Sequence, residues 1–185
     1  MSRRAPGSDV QTIRLETRIA APADRCFLLA SSVDLHIEST ADTQERAVAG
    51  VTTGLIAAGE SVTWRGRHFG LMLEHTSRIT EYQPPTFFQD VMTAGAFKRF
   101  EHDHRFEQRD AETVMTDELL FVAPLGVLGL IVERLVLRAY LTRFLVKRNK
   151  LVKQVAESDK WSDYLLKANP PEEETSSVDG GPIHQ

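Results

Sequence analysis

Two histidines, His102 and His104, stand two residues apart between Phe100 and Phe106. The intervening odd positions, Arg99, Glu101, Asp103, Arg105 and Glu107, are all charged. This alternation is the period of a strand, and it predicts one over residues 97–108. The charged face must meet water, so the histidines turn inward. A buried imidazole needs partners for its ring nitrogens. The next alternating segment, 113–121, carries Asp117 on its more apolar face, with Thr113, Met115, Leu119 and Phe121. A two-residue turn at Asp110-Ala111 sets His104 opposite Asp117; a four-residue turn sets His102 there. Either register brings a carboxylate to about 5 Å from an imidazole-bearing position and allows a charge-assisted pair. Such a group has four possible uses. It can satisfy itself as a buried network, or orient the polar end of a ligand. It can move a proton or polarise a carbonyl. With Asp117 as third ligand, His-x-His can also hold a metal.

Further residues join this group as candidates. Glu60, Val62 and Trp64 share one face of an earlier strand, read as inward because Ser61, Thr63 and Arg65 occupy the other. His68 follows in a glycine-flanked turn or bulge. Asp90 lies in a strand over 87–92, where either it or Gln89 points inward. Arg148 interrupts the apolar arc of a helix, so its guanidinium must meet a carboxylate or reach a cavity mouth. The candidate binding set is therefore Glu60, Trp64, His68, Asp90, Phe100, His102, His104, Met115, Asp117 and Arg148. The candidate acid–base residues are His102, His104 and Asp117. No metal is expected, because the third ligand would have to come from Asp117, Glu60 or His68 at unknown distance. Phe100, Phe106, Met115 and Leu119 on the same face suit apolar ligand atoms better. No cofactor is expected either: the glycines at 50, 54, 59, 66 and 70 match no phosphate-binding fingerprint. No serine or cysteine stands in a nucleophile motif, and Cys26 reads as a small apolar residue on the first helix.

The elements that must position these residues are legible in outline. The 185 residues make one domain, with 42% hydrophobic and 26% charged residues. A single cysteine excludes an internal disulfide framework and a cysteine-rich zinc site. There are 26 Asp and Glu and 22 Lys and Arg residues, and four of the acids (Glu172, Glu173, Glu174 and Asp179) lie within 168–185, which has no Lys or Arg. The remainder is formally neutral, with no basic footprint for nucleic acid. Residues 1–9 are expected to be a flexible N-terminus, 10–167 the folded domain, and 168–185 a disordered acidic tail. No apolar stretch follows the basic N-terminus, as a secretion signal would require. The most apolar run, 119–132, is broken by Pro124, Gly126 and Gly129 and is shorter than the ~20 residues of a spanning helix. A cytoplasmic protein without membrane insertion is expected.

Ile13, Leu15, Thr17 and Ile19 alternate as a half-buried strand. Pro22 suits a helix start, giving a short helix over 23–30 and a second over 33–38. Strands are expected at 45–48, 55–57, 60–64, 77–82, 87–92, 97–108 and 113–121, at hairpin spacing for one antiparallel sheet. Leu137, Leu141, Phe144, Leu145, Leu151, Val152 and Val155 form an apolar arc on one long helix from about 130 to 166. Its basic residues form a solvated face or a transient contact with an anionic membrane. One helix cannot cover a curved sheet, so the two layers enclose a cavity. Oligomeric state is open.

Specific strings sharpen this. IAAPADRCFLLA at 19–30, GESVTWRGRHFG at 59–70, RITEYQPPTFFQDVM at 78–92, GAFKRFEHDHRF at 95–106 and TVMTDELLFVAPLGVLG at 113–129 resemble a bacterial subfamily of the START/Bet v 1-like (SRPBCC) superfamily. The resemblance covers roughly residues 11–160. It implies an α+β helix-grip fold: a curved antiparallel sheet of six or seven strands, two short helices and one long C-terminal helix around a cavity. Members of that superfamily include lipid and hormone binders and aromatase/cyclases. The resemblance thus implies binding of a small hydrophobic ligand, a lipid or an aromatic, polyketide-like compound, without assigned catalysis. The alternatives are a polyketide cyclase/dehydrase-like enzyme using the His/Asp group, and a regulatory or interaction protein.

Overall fold

A computed structural model describes residues 10–123 and 130–168. The chain runs β1 (Gln11–Ile19), α1 (Ala23–Ala30), α2 (Val33–Ser39), β2 (Arg46–Gly50), β3 (Ser61–His68), β4 (Leu71–Gln83), β5 (Phe87–Ala94), β6 (Arg99–Arg109), β7 (Glu112–Val122), α3 (Leu130–Ala156) and α4 (Trp161–Ala168). The seven strands form one antiparallel sheet in the order β1-β7-β6-β5-β4-β3-β2. After α1 and α2, each strand pairs with the next in sequence. β1 closes on the last strand, β7, so the meander is flanked by its own beginning.

Local chemistry explains the joints. Pro22 precedes α1, where a missing N–H costs nothing, and the Ala23 N–H donates to Gln108 Oε1 at 2.8 Å. Ser32 caps α2 by accepting from the Leu35 N–H. Phe69 and Gly70 both take positive φ, 52° and 80°, in the two-residue turn joining β3 to β4. That conformation matches the twist of a hairpin. Asp110-Ala111 is likewise a two-residue turn, because Arg109 pairs with Glu112.

The core divides in two. The larger part packs α1, with Phe27 against Tyr82, Phe88 and Phe106, on the middle of the sheet. The smaller part joins Ile13, Leu119 and Phe121 to Leu141 and Leu145 of α3. Over 136–156 of α3 the buried positions are Leu141, Leu145, Arg148, Asn149, Val152, Val155 and Ala156, the three-and-four spacing of a helix laid across a sheet.

Four expectations are corrected. Residues 55–57 form no strand; Leu55 makes a single bridge to Ser32, and the Ile56 N–H donates to the Ser31 carbonyl. β4 begins at Leu71 rather than 77, because Leu71 and Met72 continue the hairpin although both are exposed. The long helix does not reach 166 unbroken. At 157–160 the Ser158 hydroxyl donates back to the Val155 carbonyl, and Glu157 turns away to accept the Ala20 N–H at 2.7 Å. The local Ser158 bond competes with helix continuation. Glu60 does not point inward: β3 starts one residue later, and the exposed Glu60 carboxylate accepts the Ala57 N–H at 2.8 Å. Residues 1–9 and 169–185, which hold the expected N-terminal and acidic segments, lie outside the described residues. So does the 124–129 part of the apolar run. Among the described residues, no helix is long and apolar enough to cross a membrane.

Candidate functional site

The sheet, α3 and the α1–α2 junction surround a partly open cavity of about 210 Å³. Val62, Trp64, Ile79, Phe88, Phe100, Leu119, Leu141 and Leu145 supply its apolar wall. Two polar groups are set into that wall.

The first group grows from the pairing of β5, β6 and β7. His104 pairs with Asp117 across the β6–β7 ladder, the register of the two-residue turn. His102 pairs with Asp90 across the β5–β6 ladder, which settles that Asp90, not Gln89, faces the cavity. Gln89 faces away and donates to Asp103 at 2.7 Å. Asp90 Oδ2 lies 3.2 Å from His104 Nε2, a hydrogen bond, and 3.8 Å from His102 Nδ1. On the other side, Asp117 Oδ1 lies 2.9 Å from His104 Nδ1 and 3.0 Å from His102 Nε2. Neither ring N–H points along those short contacts, so they are close polar contacts rather than aligned hydrogen bonds. Arg148 Nη1 stands 3.6 Å from the same oxygen, while Nη2 donates to the Ala30 carbonyl at the end of α1 at 2.8 Å. Asp117 Oδ2 accepts from Asn149 Nδ2 at 2.7 Å. The His104 ring stacks on Phe88 with centroids 4.1 Å apart, and the two imidazoles lie 3.8 Å apart.

The electrostatics follow. Burial alone would raise the Asp117 carboxyl; His102 and His104 outweigh it and hold it well below the usual carboxylate range. Asp90 is lowered by the same balance, burial against the hydrogen bond from His104 and the charges of His102 and His104. Burial, then the neighbouring His104, pushes the His102 imidazole down. The group is thus two ionised carboxylates clamping a pair of imidazoles, able to orient a ligand group, transfer a proton or hold a cation.

The second group was not foreseen as a unit. Glu45, just before β2, places Oε2 2.8 Å from His36 Nε2 and Oε1 3.4 Å from His68 Nε2. His68 Nδ1 meets the Tyr140 hydroxyl of α3 at 2.6 Å, and His36 lies against Trp64 with centroids 4.1 Å apart. Burial would raise Glu45, but the two histidines hold it at about 2.

Of the residues singled out in the sequence, Trp64, His68, Asp90, Phe100, His102, His104 and Arg148 line the cavity. Asp117 is fully buried behind the two histidines, one layer from the cavity. Met115 is fully buried beneath α1 and contributes to the larger core rather than to the wall. Glu60 is in neither place. Missing from the sequence reading are Asn149, Glu45, His36, His75 and Tyr140. Asn149 had a signal: like Arg148, it interrupts the apolar stripe of α3. Glu45 and the histidines it joins are separated by 9 and 23 positions, and only the fold brings them together.

No protein-family model and no curated protein matches the chain. Solved structures do. TTHA0849 from Thermus thermophilus is 18% identical and superposes with a TM-score of 0.63, over 80% of this chain and all of that one. The ZhuI aromatase/cyclase from Streptomyces sp. R1128 is 18% identical with a TM-score of 0.65, over 80% and 94%. Ginseng major latex-like protein 151 from Panax ginseng is 12% identical with a TM-score of 0.57, over 80% and 99%. Together with the observed sheet order and long C-terminal helix, these likenesses define the architecture: the chain has the helix-grip fold of Bet v 1-like (SRPBCC) proteins. At such identities the likeness concerns the fold and carries no activity with it.

Proposed function

We propose that the protein binds a small, largely apolar molecule in its internal cavity, with a polar substituent directed at Asp90, His104 or Arg148. The cavity itself carries this reading: it is partly open, apolar over most of its wall, and polar chiefly at the two groups described. Size narrows the ligand. An apolar cavity of ~150 Å³ takes a benzene ring, so about 210 Å³ suits a one- or two-ring aromatic better than a diacyl lipid. The binding of hydrophobic molecules implied by the fold supports the same reading.

Native mass spectrometry of gently purified protein tests it, together with titration by a naphthalene probe whose emission rises on leaving water. A copurified small molecule, or saturable probe binding at one site per chain, is expected. Absence of both in folded protein would refute the reading.

A second reading has one observation in its favour. The His104 Nε2–Asp90 hydrogen bond lies in the cavity wall, where an imidazole polarised by a carboxylate can exchange a proton with a bound carbonyl compound. One of the structural neighbours is an aromatase/cyclase. Turnover of a polyketone, lost in His104→Gln with probe binding retained, would establish this second role.

A further inference from the structure

The two histidines facing Asp90 present more than a hydrogen-bond network. Asp90 Oδ2, one nitrogen of His102 and one of His104 all lie within 4.8 Å of one another. The closest pair, Asp90 Oδ2 and His104 Nε2, is 3.2 Å apart; Asp90 Oδ2 and His102 Nδ1 are 3.8 Å apart. Bonds of about 2.0–2.1 Å to a tetrahedral ion place its donor atoms roughly 3.4 Å apart. Those two separations straddle that value, and the two imidazole nitrogens lie within 4.8 Å of each other, so side-chain rotations can bring all three donors to it.

The surroundings fit as well. A histidine bound to a metal typically directs its other ring nitrogen to a carboxylate, which fixes the ring's orientation. Here the remaining nitrogens, His102 Nε2 and His104 Nδ1, lie 3.0 and 2.9 Å from one oxygen of Asp117, and a small ring rotation would align either N–H with it. Asn149 and Arg148 hold that carboxylate from behind. With neutral imidazoles, two carboxylates and one guanidinium leave a net negative charge in a buried place, which a cation would neutralise. The three donors lie in the cavity wall, so coordination positions on that side stay open to water or a ligand. Two imidazoles and one carboxylate, with no sulfur, suit zinc(II) or iron(II).

We propose that Asp90, His102 and His104 form a binding site for one divalent transition-metal ion, oriented by Asp117 and open to the cavity. The expectation of no metal rested on the unknown distances of Asp117, Glu60 and His68 and on the apolar residues of the same face; the third ligand proposed here is Asp90. The site does not depend on whether an apolar molecule also binds.

The test uses the untagged full chain. Zinc(II) or cobalt(II) is added in excess and unbound ion removed by gel filtration. Elemental analysis is expected to show one ion per chain, and the cobalt form to show visible absorption bands of a low-coordinate site. Asp90→Asn and His104→Gln should each weaken cobalt binding by at least tenfold, and Asp117→Asn by roughly 10–100-fold. Glu45→Gln should leave it unchanged. Should those variants not fold, histidine-ring NMR of the wild type decides: cobalt must perturb His102 and His104 more strongly than His36 and His68. A folded wild type that retains neither ion refutes the site. Equally, retention insensitive to Asp90→Asn and His104→Gln, or strongest perturbation at His36 and His68, would overturn it.

Discussion

His104 stands directly across the β6–β7 ladder from Asp117, and its Nδ1 lies 2.9 Å from the carboxylate Oδ1. Asp117 is completely buried, so its charge has no water to fall back on. Its compensation comes from three elements: the imidazoles of β6, Arg148 and Asn149 of α3, and the backbone of α1 that Arg148 also grips.

Replacing Asp117 by Asn is therefore expected to cost about 1–3 kcal/mol, read as a lower urea midpoint at unchanged slope. The exposed Glu107→Gln on the neighbouring strand should stay within about 0.5 kcal/mol of wild type. An unchanged midpoint for Asp117→Asn would mean that the carboxylate carries no structural charge.

Asn149→Ala removes the well-aligned bond to Asp117 Oδ2. A hydrogen bond to a charged group contributes about 1.5–3 kcal/mol, and a loss in that range is expected. Because both residues belong to one network, the double variant with Asp117→Asn should lose clearly less than the sum of the two. Additive losses in a four-variant denaturation cycle would show that they act independently.

Acid should destabilise the protein in two stages. The His102 imidazole is depressed by burial and by His104, so below about pH 6.5 the unfolded chain takes up a proton that the native protein refuses. That stability is present above pH 6.5 and is lost as the pH falls toward the native value. Glu45 is lowered from 4.5 to about 2. Its contribution, about 3 kcal/mol, is present above pH 4.5 and disappears between 4.5 and about 2. Asp90 and Asp117 are lowered too and lose their contributions in the same acid range, so Glu45→Gln should reduce the lower stage without abolishing it and leave the upper stage unchanged, as measured by urea midpoints between pH 3 and 8.

Leu145→Trp should fill the cavity from the α3 side. Leu145 is buried in its wall, so the larger ring occupies ligand space. Naphthalene-probe affinity is expected to fall at least tenfold, while overpacking costs about 1–3 kcal/mol. Undiminished affinity would place the probe elsewhere.

The strong period-2 segments of β1 and β6 were legible because one residue face is buried and the other is solvated; β7 alternates in sequence although Thr113 to Asp117 are buried on both faces. The His102/His104/Asp117 group was visible for that reason, and the short turn at Asp110 then chose between two registers differing in which histidine faces Asp117. Asp90 could not be chosen over Gln89 from sequence: both are polar, and the adjacent Phe87 and Phe88 are both apolar and both buried, so the segment offers no alternation to read. Glu60 failed because periodicity does not say where a strand begins; one residue before β3, its side chain satisfies a turn instead of the cavity. The Glu45–His36–His68 group was hidden altogether. It joins α2, the approach to β2 and the end of β3, and no local pattern encodes that meeting.

The chain has six histidines, and five of them, His36, His68, His75, His102 and His104, line the same cavity; His184 lies outside the described residues. The imidazoles therefore sample one small volume from several directions, across two groups and a third position beside Phe100. An imidazole nitrogen spectrum of this protein is in effect a spectrum of its interior. Whatever enters, be it an aromatic ring, an ion or only protons, must leave a different signature at His36 and His68 than at His102 and His104. The molecule carries its own set of internal reporters, with no label to be introduced.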